Sequence, residues 1–414
     1  MTLLDLKWRS FQRLIFVLIL LIALLRFVNL GTKPYWYDEV ITSLRISGYT
    51  TTDVYEFSRS GQKTFGSIQF FQCVNRDLNI EDTFNSLITD SSHPPLYFGL
   101  LHYWIKLTGC SITNIRLLSA GISLLLIPIS YALAYEVFSS SAIALLATTL
   151  MTSSPILLIY AQEARSYSLL TVLSLLSSLL VFRIQNKGKT FDLVCYILTS
   201  AAGLYCHTLY YLVMIGQGIF CLFYSLPCSQ DTAAVPFLEK IKNNYHRNHK
   251  IFTGLSISWG IFCIWLVKVI ARNGLAIRVG ADGSWKAFSS QALWQRIVLN
   301  FANLIYDFEH PLKTAIFTRP PITSSFLDLG WINIISIVFA NGIILYSLAY
   351  TVLNRYRSRA VLLFFFSRPI SIISTEGLDY WGQLVYGNSL PTFGSFLHLF
   401  RPCLLFSRLP QAYQ

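Results

Sequence analysis

The stretch LIFVLILLIALLRFVNL, residues 14–30, is an apolar run that contains a single charged residue. As a helix, a run of this length crosses a hydrocarbon layer of about 30 Å. Similar runs recur along the 414-residue chain, which is 54% hydrophobic and 13% charged and has a mean hydropathy of +0.51. Spans inside a bilayer are helices or a closed barrel, and these runs lack the alternation of barrel strands. The sequence therefore predicts an all-α polytopic membrane protein.

Basic residues cluster in the short connections between the apolar runs, which is the pattern of cytoplasmic loops. Lys7, Arg9 and Arg13 precede the first run, so a cytoplasmic N-terminus and a retained first helix are expected, with a cleaved signal peptide as the rival interpretation. The net charge of +12 comes without a groove-reading motif, so nucleic acid is not an expected partner. After the first span, the predicted spans are 117–134, 142–159, 169–182, 193–206, 209–226, 251–270 and 331–353, with an interrupted ninth after Arg359.

These spans divide the chain into a transmembrane domain, residues 1–373, and an atypical tail, residues 374–414. The domain carries two large non-cytoplasmic segments, 31–113 and 271–330. Within the first, Leu96–Leu107 is too short and polar to span comfortably and predicts a helix lying at the interface. The tail is punctuated by glycine and proline and holds no full span, so a truncated or frameshifted reading frame is a hypothesis for it.

Eight cysteines are scattered along the chain, and no pair has the spacing of metal ligands. Cys73 and Cys110 flank the first outer segment. A disulfide between them and two unbridged thiols are both compatible with the sequence.

Ionisable residues at membrane level are costly unless they are paired or face a wet cavity, which makes them candidates for function. Four such groups fall on the outer side of the predicted topology: Asp38 with Glu39, His93, Glu163 with Arg165, and His207.

Each group also has a purely structural explanation. Asp38 could be a solvated loop carboxylate or a helix cap, and His93 could simply precede a helix that starts after two prolines. If residues 160–167 form a helix, Tyr160, Glu163 and Tyr167 share one face and Arg165 points elsewhere. The combination of groups is more specific than any one of them.

Five stretches carry a resemblance to a known family: YWYDEVITSLRISG at 35–48, SSHPPLYFGLLHYWIKLTG at 91–109, IRLLSAGISLLLIPISYALAYEVF at 115–138, SPILLIYAQEARSYSLL at 154–170 and, more weakly, GLYCHTLYYLVMIGQG at 203–218. Together they resemble the membrane-embedded GT-C glycosyltransferases of the protein mannosyltransferase type, glycosyltransferase family 39. The resemblance implies a GT-C-type bundle with large non-cytoplasmic loops, and the predicted spans of this chain give it about nine transmembrane helices.

It also implies a transferase that moves a sugar from a polyprenyl-phosphate donor to an acceptor hydroxyl on the periplasmic or luminal side. Asp38 matches the family's catalytic aspartate and Glu39 its acidic neighbour. A single carboxylate base that takes the acceptor proton during direct displacement would invert the anomeric centre. The expected location is the plasma (inner) membrane, or the endoplasmic reticulum in a eukaryote, and the sugar and the acceptor stay undetermined.

The lipid phosphate that leaves needs nearby cations as its negative charge grows. Arg165 ranks first as its partner because a guanidinium binds phosphate through two parallel hydrogen bonds, and the other candidates are His93, Lys33 and Arg45. Glu163 and His207 are substrate-site residues or ligands of a divalent metal. No ligand spacing demands a metal, so no cofactor is firmly expected.

Two other functions compete with the transferase. A transporter or flippase could line its path with the same residues, but transporters usually place charges near the midplane within repeated halves, and no repeat is found. An inactive, truncated relative is the third hypothesis, because the chain departs from the family pattern after about residue 367, where relatives continue through further spans.

Overall fold

The computed structural model describes residues 3–59, 70–73, 79–90, 93–223 and 237–273, with a few isolated positions between 335 and 342. All regular structure in these ranges is helical, so the all-α prediction is confirmed for this part of the chain. Most of the second outer segment, the predicted span at 331–353 and the tail at 374–414 lie outside the described residues.

The helices are, in chain order, α1 Leu3–Leu24, α2 Tyr37–Ile46, α3 Thr51–Arg59, α4 Ile80–Asp90, α5 Leu96–Thr108, α6 Ile112–Ser123, α7 Leu126–Phe138, α8 Ser141–Thr152, α9 Pro155–Ala161, α10 Tyr167–Lys187, α11 Thr190–Cys206, α12 Tyr210–Phe223, α13 Phe237–Arg247 and α14 His249–Asn273. Short 3-10 turns occur at Leu25–Phe27 and Phe70–Gln72.

Among the described residues, three helical segments are long and apolar enough to cross a membrane: Ile112–Phe138, formed by α6 and α7 together, α10, and His249–Arg272 of α14. The bent pair α8 and α9 makes a fourth if it is counted as one broken span, whereas α11 and α12 are apolar but shorter. The membrane-protein prediction therefore holds at this coarser level, and the count of about nine spans stays a prediction.

Two predicted spans differ from the structure in a way that sequence hydropathy does not register. The first helix ends at Leu24 rather than at residue 30, and buried Arg26 in the following turn donates to the carbonyl of Thr152 at 3.2 Å. The predicted third span is two helices that meet at 59°. Pro155 opens the second of them, and a proline lacks the N–H that would continue the first.

α10 and α11 form an antiparallel hairpin that fixes which ends of the bundle meet. Gly188 makes the turn between them with a φ of +60°, a left-handed conformation that glycine adopts without strain. At the other end of the hairpin, the thiol of Cys206 contacts the carbonyl of Ser166 at 3.6 Å. The start of α10 and the end of α11 therefore lie side by side, and the candidate site is built there.

α5 covers this end of the bundle from the first outer segment. Its residues Tyr97, Leu101 and Ile105 are buried, whereas Tyr103 and Leu107 are 56% and 84% exposed. The bounds Leu96–Thr108 agree with the predicted amphipathic helix at 96–107. Its position at a membrane interface stays a prediction.

A disulfide joins Cys73 to Cys110, so of the two alternatives left open by the sequence the structure contains the bridge. It ties the stretch that follows α3 to the connection between α5 and α6. The first outer segment is thereby attached covalently to the start of a candidate membrane span.

Candidate functional site

The acidic pair lies in the first turn of α2, with Trp36 as the N-cap residue. Carboxylates are favoured there because the helix N-terminus carries partial positive charge from unpaired backbone N–H groups. Successive residues of a helix point in directions about 100° apart, since a turn holds about 3.6 residues. Asp38 and Glu39 therefore face different neighbours, and their environments differ strongly.

Glu39 is completely buried and is held by Arg116 of α6. Arg116 Nε donates to Glu39 Oε1 at 2.8 Å, and its terminal nitrogen donates to Oε2 at 2.6 Å. The same guanidinium donates to the backbone carbonyls of Leu30, Lys33 and Pro34 at 2.6 to 3.1 Å. One buried arginine thus connects α6, the approach to α2 and the acidic pair.

Glu39 also holds the turn between α9 and α10. Its Oε1 accepts the backbone N–H of Ala164 at 2.8 Å, and its Oε2 accepts that of Trp36 at 3.4 Å. Each oxygen therefore has two donors. Glu39 was predicted to be catalytic, but a positioning role describes it better. Its carboxylate is 0% exposed, and both of its oxygens already accept hydrogen bonds.

Asp38 faces Arg165, which lies 127 positions later in the chain. Arg165 approaches Asp38 Oδ2 at 3.3 Å and also donates to the Asp38 carbonyl at 3.4 Å and to Thr42 Oγ1 at 3.3 Å. Its guanidinium lies 5.4 Å from the ring centre of Tyr167. In the described part of the chain, Arg165 is the only ion-pair partner of Asp38, whose side chain keeps 12% exposure.

The conditional prediction of a helix over 160–167 is wrong. α9 ends at Ala161 and α10 begins at Tyr167, and the residues between them form a turn. That turn allows Arg165 to point to Asp38, whereas a continuous helix would have directed it away. Tyr160 and Tyr167 nevertheless meet, with ring centres 4.8 Å apart.

Two histidines from distant segments complete the same region. The ring of His93 stacks on Phe98 of α5, and its centre lies 6.4 Å from that of His207 at the end of α11. His207 in turn lies 6.3 Å from the ring of Tyr167. The structure therefore brings 38, 93, 165 and 207 together, although the sequence separates them by up to 169 positions.

Both histidines are neutral near pH 7. Burial, and to a smaller extent the nearby Arg165, lower the pKa of His207 to about 3. Burial, followed by Arg165 and His207, holds the pKa of His93 well below its ordinary value. A neutral His93 would contact a phosphate through a hydrogen bond rather than through charge, and its role as a phosphate partner stays a prediction.

The tautomer of His207 follows from its neighbour. Its Nδ1 accepts the backbone N–H of Leu209 at 3.2 Å, so the proton of the neutral ring resides on Nε2. That Nε2 is buried and has no hydrogen-bond partner among the described residues. It is a donor available to a ligand that enters beside Tyr167 and His93.

The other predicted cations lie at the margin of this region. Lys33 is exposed and donates to the side-chain carbonyl of Gln162, in the same turn as Arg165. Arg45, in the last turn of α2, is 3% exposed and donates to the carbonyl of Tyr49 at 3.0 Å. Lys33 remains well placed to reach a bound anion, whereas Arg45 stabilises the end of its own helix.

Glu163 lies in the turn between α9 and α10 and has a raised pKa. Burial is the largest cause, the carboxylates of Glu39 and Asp38 add to it, and Arg165 and Lys33 oppose it, and together they bring the pKa from the ordinary 4.5 to about 8. Glu163 is therefore largely protonated at neutral pH, so only one net negative charge, that of Asp38, faces Arg165.

We expect Glu163 to make the folded protein less stable as the pH rises from about 5 to about 8. In that range the folded state retains a proton that the unfolded state has lost, so the free energy of unfolding falls with pH. The variant Glu163→Gln should show a flatter pH dependence of the melting temperature in detergent. An unchanged slope in Glu163→Gln would contradict the raised pKa, and Glu56→Gln, at an exposed carboxylate of α3, is the matched control.

Two residues important to this geometry were not identified from the sequence. Arg116 directly precedes an apolar run, and a cation at such a position needs a partner when it is buried. The sequence does not indicate that partner, because Glu39 lies 77 positions away. Gln162 donates to the carbonyls of Leu25 at 2.7 Å and Val28 at 3.1 Å, tying the α9–α10 turn to the end of the first helix.

A metal centre finds no support in the described part of the chain. No cluster of three or more His, Cys, Asp or Glu side chains there has the geometry of a metal site. The roles of Glu163 and His207, as substrate contacts or as metal ligands, stay predictions.

Comparison with known proteins adds no family. No protein-family model and no curated protein sequence matches the chain. The functional argument therefore depends on the geometry described above and on the motif resemblance.

Proposed function

We propose that the protein is a membrane glycosyltransferase that moves a sugar from a polyprenyl-phosphate donor to an acceptor hydroxyl, with Asp38 as the general base. The observation that carries the proposal is the contact of 3.3 Å between Asp38 and Arg165. It places a carboxylate beside a cation suited to phosphate, at an end of the bundle that also presents a neutral histidine donor. The full GT-C bundle of about nine spans is part of this proposal.

To act as the general base, a carboxylate has to be able to leave its ion pair and reach the acceptor hydroxyl. Asp38 is partly accessible, whereas its neighbour Glu39 is enclosed by Arg116, Ala164 and Trp36. A donor phosphate that draws Arg165 away from Asp38 would free the carboxylate to accept a hydroxyl proton. The acceptor oxygen then forms its bond to the anomeric carbon as the bond to the lipid phosphate breaks, with inversion of that carbon.

The leaving phosphate needs charge and hydrogen bonds but no proton donor of its own. Arg165 supplies the charge through a planar guanidinium, and Lys33 approaches the same turn through Gln162. His207 Nε2, beside the ring of Tyr167, supplies a neutral hydrogen bond. These groups are present before substrate arrives, which is the condition for electrostatic stabilisation of the transition state.

The proposal is tested by incubating the protein, reconstituted in liposomes, with a panel of radiolabelled polyprenyl-phosphate sugars. Transfer to any acceptor, or slow hydrolysis that releases sugar and polyprenyl phosphate, supports it. Absence of donor turnover and of donor binding across the panel would contradict it.

We expect Arg165→Ala to impair use of the donor more than use of the acceptor. Loss of a charge-assisted contact to phosphate corresponds to about 2–3 kcal/mol, or roughly 30- to 150-fold in kcat/KM for the donor. Arg165→Lys keeps the charge but not the planar pair of donors, so it should recover only part of the loss. Steady-state kinetics with each substrate varied in turn measure this difference.

Arg59→Ala, at an exposed arginine of α3, is the matched control and should leave both substrates unaffected. Equal losses for donor and acceptor in Arg165→Ala would indicate that Arg165 only supports the fold. An unchanged donor KM and kcat would remove its phosphate role.

The site is proposed to face the periplasm or the lumen of the endoplasmic reticulum, with the N-terminus in the cytoplasm. The disulfide between Cys73 and Cys110 supports this side, because disulfides persist in oxidising compartments. The ionisable groups lie at one end of the α10–α11 hairpin rather than near its middle. That placement favours an enzyme at the membrane surface over a transporter with a midplane site.

A further inference from the structure

A second polar pocket lies at the other end of the α10–α11 hairpin. It has a volume of about 270 Å³ and is lined by the end of α10, the Gly188 turn and residues 247–250 at the junction of α13 and α14. Since α10 has 21 residues and rises 1.5 Å per residue, this pocket lies about 30 Å from the Asp38 site. In the proposed topology, in which α10 crosses the bilayer, the two sites lie at opposite faces of the membrane.

The pocket is basic. Arg247, His249 and Lys250 contribute to its lining, and none of the described lining residues is a carboxylate. Lys250 Nζ donates to the carbonyl of Gly188 at 3.0 Å, which offsets the partial negative charge of the α10 C-terminus at this point. Glu136, at the end of α7, interacts with Asn186 at 2.8 Å and Lys187 at 3.9 Å rather than with the lining residues.

The walls are held by a buried amide network. Gln185 Nε2 donates to Asn248 Oδ1 at 3.0 Å, and Asn248 Nδ2 donates to the carbonyl of Cys221 at 2.9 Å. Asn248 is 3% exposed. These contacts join α10 and α12 to Asn248 at the junction of α13 and α14, so the backbone that carries the basic side chains is held in place.

α13 extends the basic surface and exposes apolar side chains beside it. Leu238 and Tyr245 are 78% and 48% exposed, and Lys240 and Lys242 are also exposed. Such a helix is typical of one that lies in the headgroup region of a bilayer. α14, which begins at His249, is a candidate membrane span, so the pocket opens at headgroup level.

We propose that this pocket binds the phosphate headgroup of an anionic glycerophospholipid from the cytoplasmic leaflet. Basic pockets between membrane helices on the cytoplasmic side bind such headgroups, and charge complementarity favours an anion here. The acyl chains would lie along α14 and the apolar residues of α13. The lipid would thereby hold α10, α13 and α14 together at the face opposite the Asp38 site.

The test is binding of dioctanoyl phosphatidylglycerol to the delipidated protein in neutral detergent, followed by native mass spectrometry. Saturable binding is expected for phosphatidylglycerol, and weak binding without saturation for dioctanoyl phosphatidylcholine. The double variant Arg247→Gln/Lys250→Gln should bind phosphatidylglycerol roughly tenfold or more weakly. The matched control Lys240→Gln/Lys242→Gln, which removes the same charge from the exposed face of α13, should stay within about twofold.

Equal binding of the two lipids by the wild-type protein would overturn the proposal, and this comparison needs no variant to fold. Equal losses in the two double variants would also overturn it, because general surface charge would then explain the binding. Displacement of the lipid by inorganic phosphate at an equal concentration would indicate a soluble anion instead. Because this experiment measures lipid binding only, a negative result would not contradict the proposed transferase activity.

Discussion

Replacing Asp38 by asparagine is expected to abolish sugar transfer from a polyprenyl-phosphate donor. Asparagine preserves the shape of the side chain but cannot accept the acceptor's proton, and loss of a general base costs about 10²- to 10⁴-fold in rate. The contact with Arg165 at 3.3 Å would weaken without removing the cation, so donor binding should persist. Measuring transfer and donor binding on the same reconstituted sample separates the two effects.

Two controls make this result interpretable. Glu56→Gln neutralises an exposed carboxylate of the same outer segment and should keep wild-type activity. Asp38→Asn should also elute from size-exclusion chromatography as the wild-type protein does, because Asp38 keeps 12% side-chain exposure and its ion pair with Arg165 is longer and less enclosed than that between Glu39 and Arg116. Transfer by Asp38→Asn at a rate near that of the wild type would reject Asp38 as the base.

Replacing Arg116 by methionine is expected to cause the largest loss of stability. The change leaves the fully buried Glu39 without its cation and removes three donors to backbone carbonyls, and breaking a buried ion pair from one side costs about 3–5 kcal/mol. Because Glu39 also holds Ala164, the turn that carries Arg165 should loosen. Thermal unfolding in detergent and the yield of monodisperse protein measure the effect.

The charge pair itself is tested by a double-mutant cycle. Arg59→Met makes the same substitution at an exposed position and should change the melting temperature little. The Glu39→Gln/Arg116→Met variant should lose less free energy of unfolding than the sum of the losses of the two single variants. The difference, which is the coupling energy, should be about 1–3 kcal/mol. Strict additivity of the two losses would mean that Arg116 stabilises the fold independently of Glu39, through its packing and its hydrogen bonds to the backbone carbonyls.

The prediction of helices succeeded where the signal is local. Apolar runs at 117–134, 169–182, 193–206 and 251–270 all fall within observed helices, because the hydropathy of a helix is a sum over its own residues. It did not predict the bend of 59° at Pro155, within the apolar run at 142–159. Hydropathy does not register the missing N–H that breaks the helix there.

Candidate site residues were recognised because ionisable groups are rare in such an apolar chain. Asp38, His93, Arg165 and His207 were named from that signal, and their mutual contacts appeared only with the fold. The roles of the acidic pair could not be separated in advance, since Asp38 and Glu39 are neighbours in sequence. Only the packing of α6 and of the α9–α10 turn around Glu39 leaves Asp38 as the more accessible carboxylate.

By itself, then, the amino-acid sequence determined that this chain is built from apolar helices and which few ionisable side chains interrupt them. The tertiary structure decided which carboxylate is enclosed, that Arg165 turns toward Asp38, and that Cys73 reaches Cys110. The physical reason is that burial of apolar surface depends on each segment's own composition, whereas the pairing of charges depends on which helix ends meet. That meeting is set by turns such as Gly188 and by a buried arginine whose partner lies far away in the chain.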